Sequence, residues 1–78
     1  MINELDLAVL THDLPEHGLQ RGDVGTVVHR YQDGQAFEVE FVTAVGATVA
    51  VLTLEQADVR PVDGHEILHV RDLAAASA

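Results

Sequence analysis

Cysteine, lysine and tryptophan are absent from this 78-residue chain, and the first two absences exclude whole classes of site. Without cysteine there is no disulfide, no thiolate metal site and no cysteine nucleophile. The only strong cations are four arginines, set against 13 acidic residues, so the formal net charge is −9. Nucleic-acid binding needs several basic side chains facing the phosphates. Nucleic acids and anionic membranes are therefore disfavoured as partners, whereas a basic protein or a cation suits this charge.

Aromatic residues are also scarce, at 4% of the chain, although 47% of the residues are hydrophobic. A chain of this length allows one domain, with a core built from branched aliphatic side chains and little room for a deep substrate pocket. The first residues, Met1–Asp6, carry acids where a secretory signal has positive charge. No run approaches the ~20 apolar residues of a membrane span. The sequence therefore predicts a cytoplasmic protein.

Alternation of apolar and polar residues predicts an all-β domain. The pattern is clearest where Phe37, Val39 and Phe41 alternate with Glu38 and Glu40. Five strands are predicted, at Leu5–Val9, Val24–Tyr31, Ala36–Thr43, Thr48–Leu54 and Val59–Val62.

The connections between these strands have their own signals. Thr11–Asp23 is predicted to be a long loop, Asp33-Gly34 to be a hairpin turn, and Glu55–Asp58 to be a single helical turn. Gly25 predicts either a β-bulge or a close backbone approach. The fourth strand, Thr48–Leu54, has little polarity on either face, which predicts a central position or cover on both sides.

Residues 63–78 are predicted to form an extension beyond the barrel domain of residues 1–62. Asp63 and Glu66 have the spacing of a capping box, and Ile67, Val70 and Leu73 share a helical stripe. These patterns favour a short helix, although strand alternation fits the same segment almost as well. Ala74–Ala78 is expected to be a frayed tail.

Five short strands, a long first loop and one helical turn before the last strand predict a small SH3-like barrel, because closing a Val-rich sheet removes its exposed edges. The stretch Gly22–Val28, followed by a hairpin and Phe37–Phe41, resembles SH3-like barrels such as photosystem I reaction-centre subunit IV, the β subunit of nitrile hydratase and KOW-containing ribosomal proteins. Here the resemblance concerns fold geometry rather than function.

A more specific resemblance covers Leu5–Val62. The loop at Leu10–Leu19, the strand Gly22–Val28 and the closing Val59–Pro61 occur together and in order, as in a family of short bacterial proteins classed as a domain of unknown function. That resemblance implies a barrel, and it implies no established activity and no catalytic residues.

Histidine is abundant, with five residues in the chain, and imidazole suits zinc, copper or nickel. His65 and His69 would share one helical face, and His12 and His17 flank the long loop. These four residues form the candidate metal site. The alternatives are solvated surface histidines that bind metal only adventitiously, and a cluster that senses pH.

Glu38 and Glu40 lie ~7 Å apart on one strand face, from a rise of ~3.3 Å per residue. A carboxylate pair performs acid–base catalysis only when burial separates the two pKa values. The strand pattern leaves both residues in water, so it indicates a solvated acidic face. No nucleophile or phosphate-loop motif is present either, and the sequence predicts a protein that is not an enzyme and holds no cofactor.

The long loop is the candidate protein-binding site, since ordered long loops often carry function. Its contacts are predicted to be Leu14, Pro15, Glu16, His17 and Leu19, with Tyr31 as a floor. In the alternative interpretation, Leu14 and Leu19 only cover the open end of the barrel.

These observations favour a non-catalytic interaction module or accessory subunit that docks on a basic protein partner. One form of this prediction makes the chain the acidic half of a toxin–antitoxin-like pair. Two alternatives remain: a metal-binding protein that uses the four histidines, and a structural module that self-associates as a homo-oligomer.

Overall fold

The computed structural model describes residues 1–73 and contains one antiparallel sheet of five strands in the order β4-β3-β2-β1-β5. The fold is mainly β, as the sequence predicts, and the helical elements between the strands are short 3-10 turns. The strands are β1 Leu7–Leu10, β2 Val24–Arg30, β3 Ala36–Val42, β4 Thr48–Glu55 and β5 Val59–Pro61.

The sheet curls around one apolar core, so the domain is barrel-like. Leu54 on β4 and Val59 on β5 lie on opposite edge strands, yet both belong to the same buried cluster. The inward residues that alternation predicts on β3, Phe37, Val39 and Phe41, are each no more than 3% exposed. The rest of that cluster consists of Ile2, Ala8, Leu10, Leu19 and Val27.

Three 3-10 turns join the strands, at Pro15–His17, Gln32–Gly34 and Gln56–Asp58. The last of these confirms the predicted helical turn, and its ends are closed by a capping box between Glu55 and Asp58. At the second turn, Asp33 and Gly34 both have positive φ, as the hairpin signal requires.

Gly25 marks a close approach, and the bulge lies elsewhere. A Cβ atom at Gly25 would lie 2.6 Å from Cγ1 of Val39 and 2.9 Å from the Glu40 carbonyl oxygen. The register of β2 against β3 shifts between Val27 and His29 instead, so Val28 is the extra residue.

The predicted central position of β4 is wrong. Among the strands of residues 1–73, β4 pairs with β3 alone and forms one edge of the sheet, and Val51 on its outward face is 49% exposed. Its lack of charge reflects an uncharged outer surface rather than a second covering layer.

The predicted helix does not form over residues 63–72, which contain one turn and neither helix nor strand. Glu66 accepts hydrogen bonds from the Asp63 backbone amide and from both terminal nitrogens of Arg60, at 2.7–2.8 Å. These bonds hold the pKa of Glu66 at about 2, with Arg60 as the larger cause. Ile67 and Val70 are about nine-tenths exposed. The apolar side of the predicted helix therefore has no part of the core to pack against. The predicted tail, 74–78, lies outside the described residues.

The C-terminal segment is held further along by a second arginine. Arg71 contacts Asp23 through two nitrogens, at 2.8 and 2.5 Å, and donates to the Gly18 carbonyl at 3.0 Å. Desolvation, the largest influence on Asp23, raises its pKa, but hydrogen bonds from Arg71 and from the Gln20 amide outweigh it, so the pKa is lowered. Two arginines therefore fix the path of residues 63–71 across the barrel.

Candidate functional site

The outward side of β2, β3 and β4 carries a mixed acidic and apolar surface, which we call the acidic face. Cross-strand pairing places His29 and Thr53 on either side of Glu38, and Thr26 and Val51 on either side of Glu40. The acidic face comprises Thr26, Val28, His29, Tyr31, Glu38, Glu40, Val42, Thr48, Val51 and Thr53.

Neutral hydroxyl groups hold both carboxylates of the acidic face. The Tyr31 hydroxyl donates to Oε1 of Glu38 at 3.2 Å, and the Thr53 hydroxyl donates to the same oxygen. The Thr48 hydroxyl donates to Oε2 of Glu40 at 2.9 Å. Desolvation and then the nearby charge of Glu38 raise the pKa of Tyr31, so its hydroxyl keeps its proton. These hydroxyl groups therefore position both carboxylates.

None of the ion pairs of the described chain includes either of these two carboxylates, although His29 on the acidic face pairs with Glu4. The pairs are His12–Asp58, His29–Glu4, Arg60–Glu66 and Arg71–Asp23. Within residues 1–73, Glu38 and Glu40 thus lie at the centre of an exposed sheet face without taking part in an ion pair.

Apolar side chains frame these carboxylates. Val28 from the bulge of β2, Val42 at the end of β3 and Val51 on β4 are each 44–50% exposed. The ring of Tyr31 packs edge-on against His29, with centroids 4.6 Å apart. Such a surface offers two carboxylate acceptors and apolar area that is open to burial.

The structure divides the six predicted loop-site residues between two places. Leu14 and Leu19 exchange backbone hydrogen bonds, and Leu19 is buried in the core with Leu14 packed against it. Pro15, Glu16 and His17 form the exposed turn between them. Tyr31 follows the far end of β2, ~20 Å of strand away from the loop. It belongs to the acidic face.

The four predicted metal ligands are not gathered either. No group of three or more His, Cys, Asp or Glu side chains suited to a metal occurs in residues 1–73. His12 instead bonds Asp58 through Nε2 at 2.7 Å, while its Nδ1 lies 3.1 Å from the Asp13 carbonyl. The Asp58 bond first, and the Asp13 carbonyl second, raise the pKa of His12. The pair fastens the first loop to the turn before β5.

This pair predicts a pH dependence of stability. Because the pKa of His12 is raised above its ordinary value of 6.5, the ion pair with Asp58 stabilises the fold fully below pH 6.5. That stabilisation is lost as the pH rises through the raised pKa. We expect the urea midpoint of His12→Gln to approach that of the wild type between about pH 5.5 and about pH 8.5. His17→Gln, a matched change in the exposed turn, should show no such convergence. A constant gap between His12→Gln and wild type would contradict the prediction.

A cleft of about 810 Å³ opens at the end of the barrel near the first loop. Leu19 and Val24 form one wall, Phe41 and Val49 a second, and residues 69–73 a third. The Arg71–Asp23 pair closes the corner between the first and third walls. No sequence pattern indicates this cleft, because its third wall depends on an ion pair between residues that are distant in the chain.

Comparison with protein families gives one match. Residues 4–61 match the model of a family described as a domain of unknown function (DUF4926). The match covers well over half of the chain and ends at Pro61, so the segment held by Arg60 and Arg71 lies beyond it. No curated protein and no solved structure matches the chain. Separately, the described residues include no helix that is long and apolar enough to cross a membrane.

Proposed function

This chain belongs to the DUF4926 family of domains of unknown function, and we propose that it is a non-catalytic interaction module that docks on a basic protein. The observation that carries the proposal is the acidic face, where neither Glu38 nor Glu40 takes part in an ion pair within residues 1–73. An arginine or lysine from a partner supplies the missing charge.

The chemistry of the acidic face suits this role. A hydrogen bond between ionised groups is stronger than a neutral one, and hydroxyl donors have already oriented both carboxylates. Burial of Val28, Val42 and Val51 against a partner adds a hydrophobic contribution. The net charge of −9 attracts a basic partner over a longer range and raises the association rate at low salt.

We further propose that the barrel-like sheet is an SH3-like barrel, as the strand order and the 3-10 turn before β5 support. A chain without cysteine is also compatible with a reducing compartment, and we propose a bacterial cytoplasm.

The proposal is tested by removing the two charges without changing side-chain shape. A basic protein captured from the native host at low salt, and then purified, should bind the Glu38→Gln/Glu40→Gln variant at least about tenfold more weakly than wild type, because charged hydrogen bonds are lost. Titration calorimetry measures the difference.

The matched control is Glu16→Gln/Asp33→Asn, which removes the same net charge from exposed turns away from the acidic face. It should lower the affinity by less than about threefold, through weaker long-range attraction alone. Equal losses in the two double variants would show that only net charge matters. Failure to capture any stoichiometric basic protein would count against the proposal itself.

A further inference from the structure

The two edges of the sheet differ in how they are protected. β5 is three residues long and ends in Pro61, which has no amide hydrogen to offer. β4 is eight residues long, contains no proline, and carries no charge before Glu55 at its end. Within residues 1–73 it pairs only with β3. Short strands, charges and proline are the usual protection of a sheet edge, and β4 has none of them along most of its length.

The direction of the free backbone groups on β4 follows from the ladder. The Gln56 amide donates to the Gln35 carbonyl at 3.2 Å, in register with β3 and β4. In an antiparallel ladder, every second residue pair exchanges hydrogen bonds. Leu54 and Leu52 therefore bond β3. The alternate residues of β4 turn their amides and carbonyls toward the open edge of the sheet. They are Val51, Thr53 and Glu55.

The side chains on β4 divide in the same alternation. Leu54 is buried in the core and Leu52 packs against it. Val51 and Thr53 lie on the acidic face, opposite Glu40 and Glu38. A strand added at this edge would place every second side chain beside the acidic face and the others beside the two leucines.

We propose that the free edge of β4 accepts an extended segment of the partner, alternately basic and apolar, as a sixth antiparallel strand. This inference rests on the proposed function and gives it a binding mode. Main-chain hydrogen bonds to Val51, Thr53 and Glu55 fix the register. Basic side chains lie over the carboxylates of the acidic face, and apolar ones extend the core past Leu52 and Leu54.

Charge favours a basic segment over a second copy of this chain. Pairing two β4 edges would bring both copies' Glu38, Glu40 and Glu55 onto one continuous face, between molecules that each carry a charge of −9. Like charges on one sheet face are destabilising.

The experiment uses the full chain and two synthetic peptides of equal composition. One peptide alternates valine and arginine over seven residues, and the other places four valines before three arginines. We expect the alternating peptide to bind at least about tenfold more tightly, since only it satisfies both faces at once. Hydrogen exchange by NMR should show new protection at the amides of Val51, Thr53 and Glu55.

Two perturbations isolate the backbone. Thr53→Pro removes an amide that points away from β3, and we expect it to weaken the alternating peptide by about tenfold or more. Thr53→Val removes the same hydroxyl bond to Glu38 but keeps the amide, so the affinity that Thr53→Pro loses beyond the loss in Thr53→Val measures the backbone hydrogen bond. For the wild-type chain, N-methylation of the arginine amides should abolish binding, whereas N-methylation of the valine amides should be tolerated, because only the former face β4 in an antiparallel pair.

The outcomes separate the two proposals. If both peptides bind equally, and neither Thr53→Pro nor N-methylation matters, strand addition is overturned while docking on the acidic face stands. If neither peptide binds and no basic protein is captured from the host, the proposed function fails as well. Sedimentation that shows a dimer lost on Thr53→Pro would identify a second copy as the occupant and overturn the peptide proposal.

Discussion

Phe41→Ala should lower the free energy of unfolding by about 3–5 kcal/mol, the usual cost of removing a buried aromatic side chain. Phe41 is 3% exposed near the end of β3, opposite Ala50, and its ring also closes the space above Gly25. Neither of these small neighbours fills the cavity left behind. A domain of this size has a total stability of roughly 4–12 kcal/mol, so this loss is a large fraction of the total.

Urea denaturation followed by circular dichroism measures this loss. The neighbouring Val42→Ala is the matched control, because Val42 is half exposed on the same strand and should cost less than about 1 kcal/mol. A loss below about 1.5 kcal/mol for Phe41→Ala would mean that the core collapses onto the cavity, contrary to a tightly packed barrel.

Gly25→Ala is expected to lower the free energy of unfolding by about 3 kcal/mol, because it adds a methyl group where the core has no space for one. The added methyl group would lie 2.6 Å from Cγ1 of Val39, 2.9 Å from the Glu40 carbonyl oxygen and 2.9 Å from the ring of Phe41. One of these neighbours is backbone and the side chains are buried, so none can move without shifting β2 from β3. Overpacking of this kind costs typically 1–3 kcal/mol, and this contact is at the severe end.

Gly64→Ala is the control for that variant, because a Cβ atom at Gly64 meets nothing within 4 Å and its backbone is not left-handed. It should be neutral or slightly stabilising. Thermal unfolding by calorimetry compares the two. If Gly25→Ala keeps the wild-type midpoint, the close approach of β2 and β3 is not required for the fold.

The main features of the sheet could be predicted because they are local. Alternation of Phe37, Val39 and Phe41 with two glutamates identifies β3 and both of its faces. The position of β4 could not be predicted, because periodicity reports the polarity of the two faces and not the number of neighbouring strands. The helix predicted for the C-terminal segment does not form over residues 63–72, and the reason is a different one. Its helical pattern was outweighed by ion pairs of Glu66 with Arg60 and of Arg71 with Asp23.

The candidate site was predictable in part for the same reason. Alternation alone places Glu38 and Glu40 together on the outward face of β3. The structure adds the hydroxyl groups that orient their carboxylates. Tyr31 belongs to the acidic face because the extra residue Val28 reverses the inward–outward alternation of β2. The Tyr31 side chain therefore lies on the outward side. No local pattern marks Val28 as a bulge. The sequence alone therefore assigns Tyr31 to the candidate site on the long loop, although that loop lies at the other end of β2.

Pairing of β1 with β5 has a consequence for how the chain folds. Leu10 lies opposite Val59, and Ala8 opposite Pro61, so the strand formed first along the chain obtains its second neighbour last. Topologies dominated by such distant contacts fold in milliseconds to seconds. Throughout that interval a nascent or refolding chain presents the Ala-Val-Leu stretch of β1 without its final partner. Aggregation during synthesis should therefore depend more on this stretch than on any surface of the finished domain.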